Sequence, residues 1–463
     1  MSRTKNAILP PILPPEWSAS TDYVAGTTVS ENGIEYMAYW STEDSDPASN
    51  NGVSGSGEPW FIVTSDPAVP LPSVPTGLFV GGVSNNSILL EWTPSWVALG
   101  GSITGYAVFE NGKQIAITAV PFYTATGLAA SKAYSFTVSA IDIAGSSPQI
   151  PELTASTAAT GVNTTATFAP YIDMSLPSDG NLLAISRASG IKTFTLAFIQ
   201  SPGWNSIAWA GTGTSTITDD MLPNGRTVLS EVKALQAAGG NVIISFGGAA
   251  GTDPAMASSS SEVLQAEYQS VIDRYHVTSL DFDIEGIAET NQASITLRDQ
   301  ALIGLKAANP GLSISFTLPA TPTGLDAKGL NVVESARADG LTPDIFNLMT
   351  ADYNAVVDQG GQMGLDAIDA AISVETQLKA LGVTSKIGLT PMIGLNDVSG
   401  EIFTAADAQM LTNFIKTTPD ISRVSMWSVA RDNGSGAGSS YVSNEGSGLT
   451  QAPYTFSKIF EHA

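Results

Sequence analysis

The stretch Ser279-Leu280-Asp281-Phe282-Asp283-Ile284-Glu285-Gly286 alternates carboxylates with apolar side chains. In an extended strand alternate residues share a face, so Asp281, Asp283 and Glu285 point one way and Leu280, Phe282 and Ile284 the other. Three carboxylates stacked on one face repel strongly in a low-dielectric interior. The array persists only if a proton is shared, which raises some pKa values. A carboxyl that keeps its proton near neutral pH is a general acid. A calcium loop would carry more Gly, Asn and Asp nearby, and a solvated acidic edge would lack the apolar interleaving. The pattern therefore points to catalysis.

Such a strand acts only where a scaffold presents it. From residue 168 onward, apolar strand-like runs alternate with amphipathic helical stretches. The runs cover 168–172, 194–199, 241–246, 279–284, 312–318, 345–349, 387–392 and 424–427. Val263, Leu264, Tyr268, Val271, Ile272 and Tyr275 recur at i, i+3/i+4, the spacing of one helix face; 367–381 and 405–415 behave likewise. Eight such units predict an α/β fold, a (β/α)8 TIM barrel over 168–463, with its active groups at the carboxyl ends of the strands. A doubly wound sheet usually shows a glycine-rich turn after its first strand, and Tyr171-Ile172-Asp173-Met174 is not one.

The first 167 residues divide differently. A tail, 1–15, precedes an aromatic-rich segment, 16–63, holding Trp17, Tyr23, Tyr36, Tyr39, Trp40, Trp60 and Phe61. A body of about 50 residues buries little surface, so some of these rings are exposed for binding. Residues 64–76 contain four prolines and form a stiff linker. Residues 77–157 show short alternating strands, with Asn111-Gly112 as a hairpin turn, and predict an antiparallel β-sandwich. A Gly/Thr/Ala linker, 158–167, leads into the barrel.

Composition narrows the chemistry. Of 463 residues, 43 are acidic and 19 basic, a net charge of −24; cysteine is absent and there are two histidines. Disulfides, thiol nucleophiles and Cys-ligated metals are excluded, and His276 and His462 lie too far apart in sequence for a multi-His site. No metal or other cofactor is called for. An acidic surface repels phosphate, which argues against nucleic acid or an anionic membrane as partner. No run of about 20 apolar residues spans a bilayer, and residues 1–15 hold no apolar core of a signal peptide. Only 13% of residues are charged. That balance fits a monomer working outside the cell on a neutral substrate.

Residues 278–285 resemble the D-x-x-D-x-D-x-E signature of glycoside hydrolase family 18, the chitinases, with Thr278 in place of the first Asp. Ser245-Phe246-Gly247-Gly248 matches the S-x-G-G motif of that family. Met349-Thr350-Ala351-Asp352-Tyr353 resembles its sixth-strand M-x-Y-D motif, at a different spacing. Trp427 stands where the eighth-strand tryptophan closes the substrate floor; core packing is the other reading of that ring. The resemblance implies a retaining chitinase acting on β-1,4-N-acetylglucosamine links by substrate-assisted catalysis. Glu285 would be acid and base, Asp283 would hold the acetamide, Asp281 would share a proton with Asp283, and Tyr353 would orient the acetamide. Met349, Asp352, Asn396, Asp397, Arg431 and Trp427 are candidate substrate contacts. One helix over 397–420, with no added domain, implies an open cleft and endo action. Residues 16–63 resemble the chitin-binding modules of carbohydrate-binding families 5 and 12, with Trp40, Tyr39 and Trp17 as binders and Trp60 as core. Residues 77–157 resemble a fibronectin type III domain, acting as a spacer. An inactive chitin lectin and an endo-β-N-acetylglucosaminidase on N-glycans are the alternatives. Lectins of this fold usually lose the acid, which is present here, and the binding module argues against N-glycans.

Overall fold

The computed structural model describes residues 14–463 except 33, 53–57, 64–70, 84–86, 98–101, 158–165, 214 and 354–361. Most of the expected tail, half of the proline-rich linker and most of the second linker therefore lie outside the described residues. The chain forms two compact units, Met1–Thr157 and Ala158–Ala463.

In the first unit, Thr28–Glu31, Ile34–Ala38 and Trp60–Val63 form a three-stranded antiparallel sheet. Its core is Tyr23, Val29, Tyr36, Ala38 and Trp60. Trp60 donates its indole N–H to the Ser45 carbonyl at 2.7 Å, which satisfies the polar edge of a fully buried ring. Farther along, Thr76–Val83, Ser87–Thr93 and Phe122–Thr126 make one antiparallel sheet. A second is built from Gly105–Glu110, Lys113–Thr118, Ala133–Asp142, Gly145–Ser146 and Leu153–Ser156. Ile88, Leu90, Trp92, Tyr106, Val108, Phe136 and Val138 pack in one core cluster, the inward set of each alternating strand. Asn111 (φ 49°) and Gly112 (φ 78°) turn the hairpin between Gly105–Glu110 and Lys113–Thr118.

The second unit is a mixed α/β body around a ten-stranded sheet. Its order runs Thr167–Phe168, Ile421–Val424, Lys386–Thr390, Ile345–Met349, Ser313–Pro319, Ser279–Asp283, Asn241–Gly247, Thr193–Gly203, Tyr171–Asp173, all parallel. The tenth strand, Ser206–Trp209, folds back antiparallel on Thr193–Gly203, a hairpin the sequence reading missed. Thr167–Phe168 and Tyr171–Asp173 stand at opposite ends of this order but are separated by only two residues. The amide of Tyr171 bonds the Met426 carbonyl, and that of Thr195 bonds the Pro170 carbonyl. The last strand ends at Val424, three residues before Trp427, so the tryptophan lies past the strand rather than in it.

Helices follow the strands, and local signals set their ends. Ser261–Tyr275 starts on a Ser260 side-chain cap and stops at His276, which takes φ 52°; the histidine is thus a helix-end residue. Ala405–Ile415 carries a reciprocal cap between Thr404 and Asp407. The outward face of the sheet is aromatic: Phe246, Phe282, Phe316 and Phe346 pair at one register across four neighbouring strands. Their centroids are 5.2, 6.1 and 6.1 Å apart, and Tyr268 of the Ser261–Tyr275 helix closes on the first two. Each ring is worth about 1.5–3 kcal/mol of burial. This row fixes the register that sends the intervening acids to the opposite face.

Candidate active site

The strand Ser279–Asp283 ends at the second acid, and Glu285 follows in extended backbone (φ −131°, ψ 157°) ahead of a short helical turn, Gly286–Glu289. Asp281 lies deepest and is fully buried. Its Oδ2 accepts the Ser245 hydroxyl at 2.7 Å and the Tyr171 hydroxyl at 2.9 Å. Its Oδ1 accepts Ser315 at 2.5 Å and Thr317 at 2.8 Å. Asp283 is 5% exposed, and its Oδ1 is buried without a hydrogen-bond partner.

Asp283 and Glu285 open into a cavity of 260 Å³ beyond the carboxyl ends of the strands. Tyr171, Phe198, Ala249, Thr317, Met349, Ala351, Asp352, Thr390, Met392, Asp397, Trp427 and Asn444 complete the lining. Phe198 and Trp427 stack at 5.7 Å with 15° between planes, and Tyr171 packs 5.9 Å from Trp427.

Two glycines make room for this arrangement. A Cβ on Gly247 (φ 96°) would sit 2.1 Å from the Asp283 carbonyl oxygen. The Gly248 amide bonds that same oxygen at 3.0 Å, and a Cβ on Gly248 would meet the Phe198 ring at 2.8 Å. Gln200 Nε2 holds the Gly247 carbonyl at 2.8 Å.

Burial raises both Asp283 and Glu285. Glu285 is pushed up to about 7 by burial, then by the charges of Glu289 and Asp352. Asp283 is raised well above the carboxylate range by burial, then by Glu285, Asp281, Asp253 and Glu289. A protonated carboxyl at neutral pH can donate a proton to a leaving oxygen.

Several expected contacts are placed elsewhere. Tyr353 is 2% exposed and is not part of the lining; its amide bonds Glu401. The strand ends at Met349 and Asp352 takes φ 55°, so face alternation does not carry to residue 353. Counted from Met349, the tyrosine of M-x-Y-D is Ala351, which does line the cavity. Asn396 is buried, with Nδ2 bonded to the Met392 and Gly394 carbonyls. Arg431 is fully buried and holds the carbonyls of Ser443, Ile393 and Leu395; burial lowers it to about 10. Both brace the loops around the cavity and neither lines it. Phe198, Met392, Thr317 and Asn444 were missed. The first three lie in runs already read as strands, whereas Asn444 sits in a loop with no periodicity.

In the first unit Trp40 is 45% exposed, and Tyr39 stacks on it at 6.0 Å with Phe61 4.7 Å beyond. Trp17 departs from expectation: it packs on the core cluster with its indole nitrogen buried.

Residues 73–156 match the fibronectin type III domain model. Active domain 2 of a thermostable chitinase from Pyrococcus furiosus aligns at TM-score 0.55 and 35% identity, over 64% of this chain and 93% of that one. The chain belongs to the family 18 chitinases. Its curated relatives include a probable bifunctional chitinase/lysozyme of Escherichia coli, 34% identical over 63% of this chain and 34% of the relative. Endochitinase 11 of Metarhizium anisopliae is 33% identical over 57% of this chain and 52% of the relative. The family 18 chain thus spans a third to about half of the length of these curated relatives.

Proposed function

We propose that this chain is an endo-acting chitinase that cleaves β-1,4-N-acetylglucosamine links with retention. The observation that carries this is one cavity holding a Glu285 raised to about 7, an Asp283 oxygen without a partner, and the stacked Phe198–Trp427 pair. Trp427 offers a ring face to a pyranose. Glu285 gives its proton to the glycosidic oxygen as the C1–O bond breaks, while the carbonyl oxygen of the substrate's own acetamide bonds to C1. Asp283 accepts the acetamide N–H and balances the oxazolinium charge. Glu285, now a carboxylate, takes a proton from water as that water attacks C1, and the two inversions give retention. Chitin and its oligosaccharides are the substrates, and no metal takes part.

The strand order, with its two ends joined through residues 167–173, supports a closed (β/α)8 barrel. Between Thr390 and Ile421 the chain holds one two-stranded ribbon and one helix, which supports an open cleft. The Trp40, Tyr39 and Phe61 rings support chitin binding by residues 16–63, with residues 77–157 as spacer. A solid polymer of this kind is met outside the cell by a monomer.

Release of 4-methylumbelliferone from the chitobioside tests the reading. Glu285→Gln should lose about 100- to 10,000-fold in kcat, and the matching cellobioside, which has no acetamide, should not be cleaved by either form. A Gln variant as fast as the parent overturns the mechanism. A wild-type protein that binds but does not cleave makes it a lectin.

A further inference from the structure

Gln200 stands on the strand Thr193–Gly203, two residues beyond the cavity residue Phe198, and is 7% exposed. Its Nε2 donates to the Gly247 carbonyl at 2.8 Å and to the Ala250 carbonyl. Both amide protons are used on one loop, and only the nitrogen of the amide can face two carbonyls. A Cβ on Gly251 would strike the same amide. The Gly247 carbonyl and the Gly248 N–H are the two ends of one trans peptide, and they leave it in opposite directions. The N–H end donates to the Asp283 carbonyl at 3.0 Å. That carbonyl is one end of the 283–284 peptide, whose Ile284 N–H donates to the Thr317 carbonyl at 2.9 Å. One chain of hydrogen bonds therefore runs from Gln200 through two peptides to Thr317, across four strands. Bonds in such a chain polarise and strengthen one another. The 247–248 peptide has glycine on both sides, at φ 96° and 90°. Glycine leaves the backbone free to take more than one orientation, so what the ends of this peptide bond decides its plane.

We propose that Gln200 is a positioning residue: by holding the 247–248 peptide it fixes the 283–284 peptide, and with it the reach of Glu285 relative to Asp283. The inference rests on the chitinase reading of the cavity. Gln200 does not line that cavity, so it acts on a substrate only through the peptides it holds. Gly248 also bears on the Phe198 ring, which stacks on Trp427. One strand thus sets the sugar floor through Phe198 and the spacing of the two acids through Gln200.

The test pairs steady-state kinetics on the methylumbelliferyl chitobioside with hydrogen exchange of the full chain, read by mass spectrometry over residues 245–252 and 280–286. Gln200→Met keeps the length and loses both donors. Its kcat should fall about 10- to 100-fold, because the acids lose their mutual placement, while KM stays within about threefold, because the sugar floor remains. Exchange should quicken about fivefold in both segments, although Gln200 bonds only the first. A purely local packing role would quicken 245–252 alone, and that result overturns the proposal. A folded Met variant whose kcat stays within about threefold of the parent, or whose loss lies in KM, overturns it as well. If Gln200→Met does not fold, Gln200→Glu, which keeps the shape and cannot supply two protons, carries the same readings. The exchange arm needs no turnover, so a parent chain that fails to cleave chitobioside sinks the chitinase reading and leaves the test of the hydrogen-bond chain intact.

Discussion

Gly247→Ala joins the fold and the chemistry at one atom. The added Cβ would lie 2.1 Å from the Asp283 carbonyl oxygen, where real Cβ contacts stop near 3.0 Å, so the two backbones must part by about 0.9 Å. The φ of 96° adds about 1–2 kcal/mol for a side chain in the left-handed region. Separation also breaks the 3.0 Å bond from the Gly248 amide to the same oxygen, at about 1 kcal/mol. The sum is a destabilisation of roughly 2–3 kcal/mol. The larger effect is on rate. The shifted carbonyl belongs to Asp283, and a displacement near 1 Å at a reacting group costs about 100-fold. Thermal unfolding followed by circular dichroism, with kcat/KM on the chitobioside, reads both quantities. An alanine variant that melts with the parent and keeps its rate within about threefold would refute the idea that this glycine sets the place of Asp283.

Three further outcomes follow from particular groups. Glu285 must be protonated to act as an acid, and burial holds it so up to about 7; kcat/KM should therefore fall as pH rises through about 7, and a limb near the ordinary carboxylate range would contradict its burial. Asp179 is raised from 3.8 to about 7 by burial, then by Asp173 and Glu445. The folded state thus binds more protons than the unfolded one between those values, and stability falls as pH rises through that window. Asp179→Asn keeps an oxygen for the Asp173 amide, now bonded at 3.1 Å. It should raise the melting temperature at pH 8, by a stabilisation on the order of 4 kcal/mol at most, and leave it unchanged at pH 4; equal melting at pH 8 would contradict the linkage. Trp40→Ala should weaken binding to solid chitin about three- to tenfold with unchanged kinetics on the soluble chitobioside, as measured by depletion from supernatant; unchanged depletion would remove Trp40 from the binding face.

The acids of the catalytic strand were legible because alternation is a local property. Inside Ser279–Asp283 every second side chain shares a face, and the paired phenylalanines hold that face in register. The same rule failed at Tyr353, one residue past a left-handed Asp352 and beyond the end of its strand, because alternation ends with the ladder that enforces it. Asn396 and Arg431 read as polar groups near strand ends, and nothing local says that backbone carbonyls take their donors. The Phe198–Trp427 stack and the Arg423–Ser315 hydrogen bond join residues more than 100 positions apart. Sequence by itself determined which side chains could carry a proton and which face they share, since both follow from residue type and a two-residue repeat. Only the tertiary structure decided which acids keep that proton, because burial and the donors around each carboxylate arrive from other strands.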